Sequence, residues 1–265
     1  MYSLANNISA MMLRRQSAAN VDPILALFAN GEQGAYYDPS DSSTVFQDAA
    51  MTTSAGANDP VGAIMDKSGN GNHATQSMAA ARPIRRTDGT HWWLDGDGID
   101  DTLSASSAIT LMENHYWAGA FSIDTRSGPD GKGLLSSSNV IESSASSSDA
   151  LGIYQRSDVV ERVRAAMRIG VGSNYVVELN GAFTIGTPFI GEAYHESNVL
   201  TASNALASAT LAADDNTTSA NQGIRIFGNG SKTKFYGGIC LMRVASPQEK
   251  TAVREWLQAA SGVTL

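Results

Sequence analysis

Four carboxylates lie within seven residues of the segment LDGDGIDDTL: Asp95, Asp97, Asp100 and Asp101. Dense aspartate loops of this kind supply the oxygen ligands that Ca²⁺ prefers. The spacing differs from that of an EF-hand, because Ile99 occupies the third ligand position and no glutamate closes the loop. A turn in which Asp side chains accept backbone N–H bonds is the alternative. We expect such a turn, and these four residues are the calcium candidates.

Three tryptophans lie in strand-like segments: HWWLDG contains Trp92 and Trp93, and YWAGAFSID contains Trp117. Consecutive strand residues point to opposite faces, so one of the paired indoles should face the core and the other an outer surface. An exposed indole suits stacking on a sugar ring, whereas packing against a subunit or a covered face is the alternative. These three residues are therefore the carbohydrate-binding candidates.

The stretch DKSGNGNHATQ combines a carboxylate, two glycines and a histidine. Phosphate-binding loops place a lysine after the last glycine and lead into a helix. Here Lys67 precedes the glycines and a strand-like segment follows. Ligand contact remains the alternative, but the Asn-Gly and Gly-Asn steps favour a compact turn. The predicted fold-forming turn comprises Asp66, Gly69, Asn70, Gly71, Asn72 and His73.

The elements that must position these residues are mostly short apolar or alternating segments after Gly34, separated by Gly, Asn, Asp and Ser. Without long helical patterns between them, they predict an antiparallel sandwich or barrel. Near the C-terminus, Ser246, Pro247 and Glu249 form a capping box with a proline start, and Gly262 ends the pattern. A short amphipathic helix is predicted there.

Bulk properties exclude several classes of protein. The 265 residues carry a formal net charge of −8 and a single cysteine. No basic stripe offsets the acidic excess, which argues against nucleic-acid binding. No internal disulfide can form, no apolar run is long enough to span a membrane, and the N-terminus does not resemble a secretion signal.

Residues 1–33 differ from the remainder. Leu4, Ile8, Met11 and Met12 fall on helical spacing, and the segment DPILALFANG predicts a second short helix. We therefore divide the chain into an N-terminal helical arm, 1–33, and a β domain, 34–265. The arm could pack on its own domain or dock into a partner subunit.

Three segments of the sequence together suggest a family: PVGAIMDKSGNGNHATQ, ARPIRRTDGTHWWLDGDGIDDTL and FYGGICLMRVASPQEKTAVREWLQAASGVTL. From about Gly34 to Leu265 the chain resembles the concanavalin A-like, laminin-G-like jelly-roll domains carried by phage and prophage virion proteins. The resemblance implies a two-sheet jelly-roll sandwich and a role in binding glycans or other proteins. It also implies that the arm is the attachment segment of a tail, fibre or head-surface protein.

Hydrolytic chemistry has little support in the sequence. Glycoside hydrolysis needs two carboxylates at a defined separation, and the Glu-x-Asp-x-x-Glu run expected of jelly-roll glucanases is absent. Cys240 lies in an alternating segment typical of a buried strand, and no G-x-S-x-G elbow is present. The sequence therefore predicts that the protein is not an enzyme.

Our hypothesis is a phage virion structural protein, made in the host cytoplasm without a secretion signal and assembled as a homo-oligomer. The arm would bind other virion proteins, and the jelly roll would decorate the particle or bind host-surface glycan. The alternatives are a secreted or surface carbohydrate-binding module or degenerate glucanase, and a structural subunit without ligand. Calcium is the single cofactor candidate. The predicted attachment residues are Leu4, Ile8, Met11, Met12, Leu25 and Phe28.

Overall fold

The computed structural model describes residues 22–105, 109–125, 131–137, 140–141, 150–156, 161–168, 175–213, 219–227 and 232–265. Within these ranges two large antiparallel sheets pack into a sandwich, which confirms the predicted all-β fold. One α-helix, α1 (Pro247–Ser261), and two 3-10 helices, Leu25–Phe28 and Ala79–Ala81, complete the described elements. No described helix has the length and apolar character needed to cross a membrane.

The described strands, in chain order, are β1 (Gly34–Tyr37), β2 (Val45–Phe46), β3 (Ala63–Ile64), β4 (Ala74–Thr75), β5 (Ile84–Thr87), β6 (Trp92–Gly96), β7 (Leu103–Ala105), β8 (Ile109–Leu111), β9 (His115–Ile123), β10 (Gly131–Ser136), β11 (Val140–Ile141), β12 (Ala150–Arg156), β13 (Arg162–Arg168), β14 (Tyr175–Asn180), β15 (Phe189–Glu196), β16 (Val199–Ser203), β17 (Ser208–Ala212), β18 (Ser219–Gln222), β19 (Arg225–Ile226) and β20 (Thr233–Leu241).

The first sheet has the order β17-β16-β15-β9-β20-β6-β5, and β1 also pairs with β20. The second sheet has the order β14-β13-β12-β10-β19-β7-β4-β3-β2, with β11 on β10. A small ribbon joins β18 to β8. Neighbouring strands are often distant in sequence, as β20 and β9 are, so the first sheet depends on long-range pairing.

The central strand β9 explains why the first sheet is buried on both faces. Its sequence HYWAGAFSI is buried throughout. Trp117 and Phe121 belong to the core between the sheets, whereas Tyr116 and Ala118 belong to a second cluster on the outer face. Because both faces are covered, the strand is apolar at nearly every position and does not alternate with polar residues.

Helix α1 covers that outer face. Val253 and Leu257 are fully buried in the second cluster with residues of β9 and β20. The predicted capping box of Ser246 and Glu249 is present, and Gly262 closes the helix in the left-handed conformation at φ 73°. The structure therefore confirms the predicted C-terminal helix.

The described part of the predicted arm, residues 22–33, packs on the sandwich. It forms the 3-10 helix Leu25–Phe28 in place of a longer helix. Ile24 and Phe28 are 0% and 6% exposed within the second cluster. The prediction that Phe28 attaches the protein to a particle is wrong, because its side chain packs against its own domain. Leu25 is 37% exposed. The other predicted attachment residues lie outside the described residues: Leu4, Ile8, Met11 and Met12.

Candidate functional site

A pocket of about 220 Å³ lies where the turn between β5 and β6 meets the last turns of α1. Two indoles, Trp92 and Trp256, line it together. The remaining lining residues are small or polar: Ser40, Thr90, His91, Ala259 and Ala260. Flat apolar faces beside a few hydrogen-bonding groups are the composition expected of a small-ligand site. We call this cavity the indole pocket.

Arg85 on β5 fixes Trp92 from one side. Its guanidinium carbon lies 4.1 Å from the indole centroid, and the residue is only 1% exposed. The guanidinium donates hydrogen bonds to the main-chain oxygens of Pro39, Ser40 and Ala55. Burial lowers the pKa of Arg85, although nearby carboxylates oppose this. One face of the indole is therefore occupied, and a ring that stacks on Trp92 must use the opposite face.

Trp256 is positioned by the helix and by the sheet beneath it. The Ser246 hydroxyl accepts a bond from the Glu249 N–H at 3.3 Å, which fixes the start of the helix. The indole packs edge-on against Tyr36, with ring centroids 5.0 Å apart. A Cβ at Gly237 would lie 2.9 Å from the indole, so the glycine in β20 makes room for the ring.

Asp88 organises the rim of the indole pocket. Its carboxylate accepts bonds from the N–H groups of Thr90 and His91, at 2.8 and 2.7 Å. It also lies 3.3 Å from His91 Nδ1. These bonds, with that from the His91 backbone largest, lower the pKa of Asp88 to about 2. Because the carboxylate is ionised and only accepts, His91 Nδ1 carries the proton of this contact.

The other two candidate tryptophans lie elsewhere. Trp117 is 0% exposed in the core between the sheets. The prediction that Trp117 binds carbohydrate is therefore wrong, because no ligand in solvent reaches its ring. Trp93 lies on the outer face with Tyr236, at a centroid distance of 5.7 Å, and Lys234 Nζ lies 5.9 Å from its ring. A sugar contact at Trp93 remains a prediction.

The aspartates after β6 form a hydrogen-bonded turn. Asp97 Oδ1 accepts the Ile99 N–H at 2.7 Å, and Asp101 Oδ2 accepts the Asp97 N–H at 2.8 Å. Oxygens of Asp97, Asp100 and Asp101 lie within 4.8 Å of one another, and Asp95 is outside this group. Three carboxylates supply only part of the six to eight oxygens that Ca²⁺ takes. Calcium binding by these residues remains a prediction.

Asp95 and Asp101 also line a second cavity of about 220 Å³ together with Arg86 and Lys232. Burial raises the pKa of Asp101 to about 6, and burial also raises the pKa of Asp95. Arg86 Nε lies 3.6 Å from Asp95 Oδ2. Cations and carboxylates therefore share this cavity, and it lacks the paired indoles of the indole pocket.

Asp66 holds together the turn that it begins. Its carboxylate accepts the N–H groups of Tyr36, Ser68 and Asn72 at 2.9, 2.9 and 3.0 Å. The Asp66 N–H in turn donates to His73 Nδ1 at 3.0 Å. The carboxylate thus satisfies donors in both the turn and the adjacent strand β1.

The same turn is tied to the start of β1. The side-chain amides of Asn70 and Asn72 donate to the Gly34 oxygen at 3.2 and 2.7 Å. A Cβ at Gly34 would lie 1.9 Å from the Cys240 oxygen, so β1 approaches β20 as only glycine allows. None of the six predicted turn residues lines the indole pocket or the second cavity. Two of them take positive φ: Gly69 (89°) and Gly71 (75°).

Trp256, which lines the indole pocket, and Arg85, which packs on Trp92, have no signature of their own as site residues in the sequence. Trp256 belongs to the apolar face of the predicted helix, and the small residues Ala259 and Ala260 beside it are the available signal for an opening. Arg85 has no such signal, because its carbonyl partners are 30 to 46 residues away in the chain.

No protein-family model matches the chain, and no curated protein is similar to it in sequence. Solved structures share its fold. A GH54 α-L-arabinofuranosidase soaked with 4-nitrophenyl α-L-arabinofuranoside matches with a TM-score of 0.54 and 16% identity, over 86% of this chain and 62% of that one. The botulinum neurotoxin serotype D binding domain matches at 0.52 and 9% identity, over 83% and 51%. Neurotoxin type C, whose cell uptake depends on two ganglioside molecules, matches at 0.51 and 8%, over 74% and 49%.

These similarities correct one prediction. The sequence predicts a protein that is not an enzyme, yet glycoside hydrolases are among the solved structures that share its fold. The missing glucanase-type carboxylate run therefore does not exclude hydrolysis, because the same architecture carries hydrolases of another kind. The chain spans about half to three fifths of the structures that it matches.

Proposed function

We propose that the protein binds carbohydrate in the indole pocket. The observation that carries this proposal is the convergence of Trp92 and Trp256 on one open cavity of about 220 Å³ with a polar rim. The C–H face of a sugar ring packs on a flat indole, while its hydroxyl groups bond to the rim. The cavity is smaller than the roughly 300–1,000 Å³ of sites for drug-sized ligands, which suits about one sugar unit of a longer chain.

The structural similarities support carbohydrate as the ligand class. The arabinofuranosidase was soaked with an arabinofuranoside, and neurotoxin type C depends on ganglioside, so two proteins with this fold take sugars. Their identities of 16% and 8% carry no residue across to this chain. The residues of the proposed site therefore come from the geometry of the indole pocket alone.

A variant in which a larger side chain fills the indole pocket tests the proposal. Ala259 is exposed at the rim, so Ala259→Leu adds a side chain to the cavity while keeping a good helix former. Thr251→Leu places the same side chain on an exposed position of α1 about 12 Å away along the axis. A glycan array selects ligands for the wild type, and calorimetric titration of all three proteins gives the affinities.

We expect Ala259→Leu to weaken binding at least tenfold, and Thr251→Leu to leave it unchanged. If the sugar binds Ala259→Leu and the wild type with equal affinity, its binding site lies outside the indole pocket. Chromatography of each titrated sample for shorter products shows whether the bound oligosaccharide is also cleaved.

A narrower proposal concerns where the domain acts. We infer that it is displayed on a phage particle and that the segment before residue 22 attaches it. This rests on the sequence resemblance and on the helical spacing of Leu4, Ile8 and Met11. A purified lysate particle fraction probed for this chain, with and without residues 1–21, tests it. Particle association that does not depend on residues 1–21, or none at all, would refute the proposal.

A further inference from the structure

We propose that the indole pocket selects uncharged, hydroxyl-rich saccharides over sugar acids and over amino sugars. This inference rests on the proposed carbohydrate binding and specifies its ligand class. It follows from the hydrogen bonds that the groups of the rim already make.

Several of the donors that would hold an anion are already used. The N–H groups of Thr90 and His91 and the His91 Nδ1–H all point at Asp88. The Ser40 hydroxyl donates to Asp38 Oδ1 at 2.6 Å. None of the seven residues that line the pocket is a lysine or an arginine. A sugar carboxylate in the pocket would therefore find no lysine or arginine among the lining residues, and the ionised Asp88 lies beside the rim residues Thr90 and His91.

The end of α1 adds to the same selection. Ala259 and Ala260 lie in the last turn, where main-chain oxygens lack partners inside the helix and the dipole is negative. The nearby donors are also used, since the Gly262 N–H bonds to the Gln258 oxygen and the Ser261 hydroxyl to the Leu257 oxygen. This wall accepts bonds from sugar hydroxyls and repels carboxylates.

Amino sugars are disfavoured for a different reason. Two indoles would ordinarily attract an ammonium group through their ring faces. Here Arg85 already occupies one face of Trp92 at 4.1 Å and is shielded from water by burial. A second cation on the opposite face would be repelled by that charge across a thin, poorly screened ring. We expect this repulsion to exceed the attraction of the helix end and of Asp88, whose side chain is exposed and therefore screened by water and salt.

The test is calorimetric titration of the full chain at pH 8 and pH 6 with size-matched trisaccharides. The neutral probes are arabinotriose, maltotriose and galactotriose, the anionic probe is trigalacturonate at pH 8, and the cationic probe is triglucosamine at pH 6, where its amines are protonated. The neutral probes are titrated at both pH values. We expect the best neutral probe to bind at least tenfold more tightly than either charged probe. Trigalacturonate or triglucosamine binding as tightly as the best neutral probe would overturn the selection while leaving carbohydrate binding intact.

Binding of none of the five probes, together with an empty glycan array, would defeat both proposals. A gain-of-affinity variant strengthens the test. Thr90 is exposed at the rim, and Thr90→Lys supplies the missing cation. We expect it to raise trigalacturonate affinity at least tenfold, whereas Thr251→Lys, with the same charge on the distant part of α1, should not. Equal gains in trigalacturonate affinity in both variants would mean that the added positive charge acts at long range. The residues of the rim would then not control the ligand class.

Discussion

Arg254 of α1 donates two hydrogen bonds to the buried carboxylate of Glu192 in β15. Arg254 Nε lies 3.0 Å from Oε1, and Nη2 lies 2.8 Å from Oε2. The Glu192 side chain is 0% exposed, and its Oε1 also accepts the Tyr116 hydroxyl at 2.8 Å. Hydrogen bonding to Glu192 is the largest of the effects that raise the pKa of Arg254. The pair fastens the helix that carries Trp256 to the sheet.

Arg254→Met should lower the free energy of unfolding by about 3–5 kcal/mol, because it leaves a buried carboxylate without its cation. The double variant Glu192→Gln with Arg254→Met should lose much less than the sum of the single losses, since it removes both charges. Urea unfolding of the four proteins gives the coupling energy. Additive losses would mean that the two side chains do not depend on each other.

Asp66→Ala should destabilise the fold by several kcal/mol and leave carbohydrate affinity unchanged at temperatures where the variant is folded. The substitution removes the acceptor of the buried N–H groups of Tyr36 and Asn72. Each buried N–H group left without a partner costs roughly 1–3 kcal/mol. Asp66→Asn retains one carbonyl acceptor and should lose less. A normal melting temperature with lost sugar binding would instead make this turn a ligand site.

Asp101 should make stability fall as the pH rises from about 4 to about 6. Burial raises its pKa to about 6, above the value near 3.9 of an unfolded chain, so the folded state holds its proton more tightly. The carboxyl is neutral in both states below pH 4, and ionisation favours unfolding within the window. Subtracting the urea stability of Asp101→Asn from that of the wild type across pH 3.5–7 isolates this fall. A difference in unfolding free energy that does not change with pH would contradict this prediction.

His115 should act in the opposite direction. Burial lowers its pKa to about 4, from the usual 6.5, so the unfolded chain binds its proton first. Its Nδ1 donates to the Glu113 oxygen at 2.7 Å, and it stacks on His195 at 6.2 Å. Stability should therefore fall as the pH drops from about 6.5 to about 4. Relative to the wild type, His115→Asn should show no such fall; an unchanged pH profile would count against this account.

Local patterns in the sequence predict local structure well. The capping box of Ser246 and Glu249 predicts α1, and the short segments separated by Gly and Asn predict the sandwich. Alternation also separates Trp92 from Trp93, which contact Arg85 and Tyr236 respectively, but the prediction that one of the two faces the core is wrong, because both are half-buried. These features depend on neighbours in the chain, so their signals lie in the sequence.

Relationships between distant residues have no such signal. Arg254 and Glu192 are 62 residues apart, and Trp92 and Trp256 line one pocket because α1 folds back over the sheet. Trp117 and Trp93 have similar sequence surroundings, yet one lies in the core and the other on the outer face. Which sheet face is covered depends on the packing of the whole chain, and alternation alone does not reveal it.

A crystal structure with the tightest-binding neutral trisaccharide tests the central proposal most directly. We predict an ordered sugar ring on the face of Trp92 opposite Arg85, with Trp256 as its second wall and hydroxyl groups bonded to the rim. An ordered sugar at another surface, such as Trp93 and Tyr236, with nothing in the indole pocket would contradict the account.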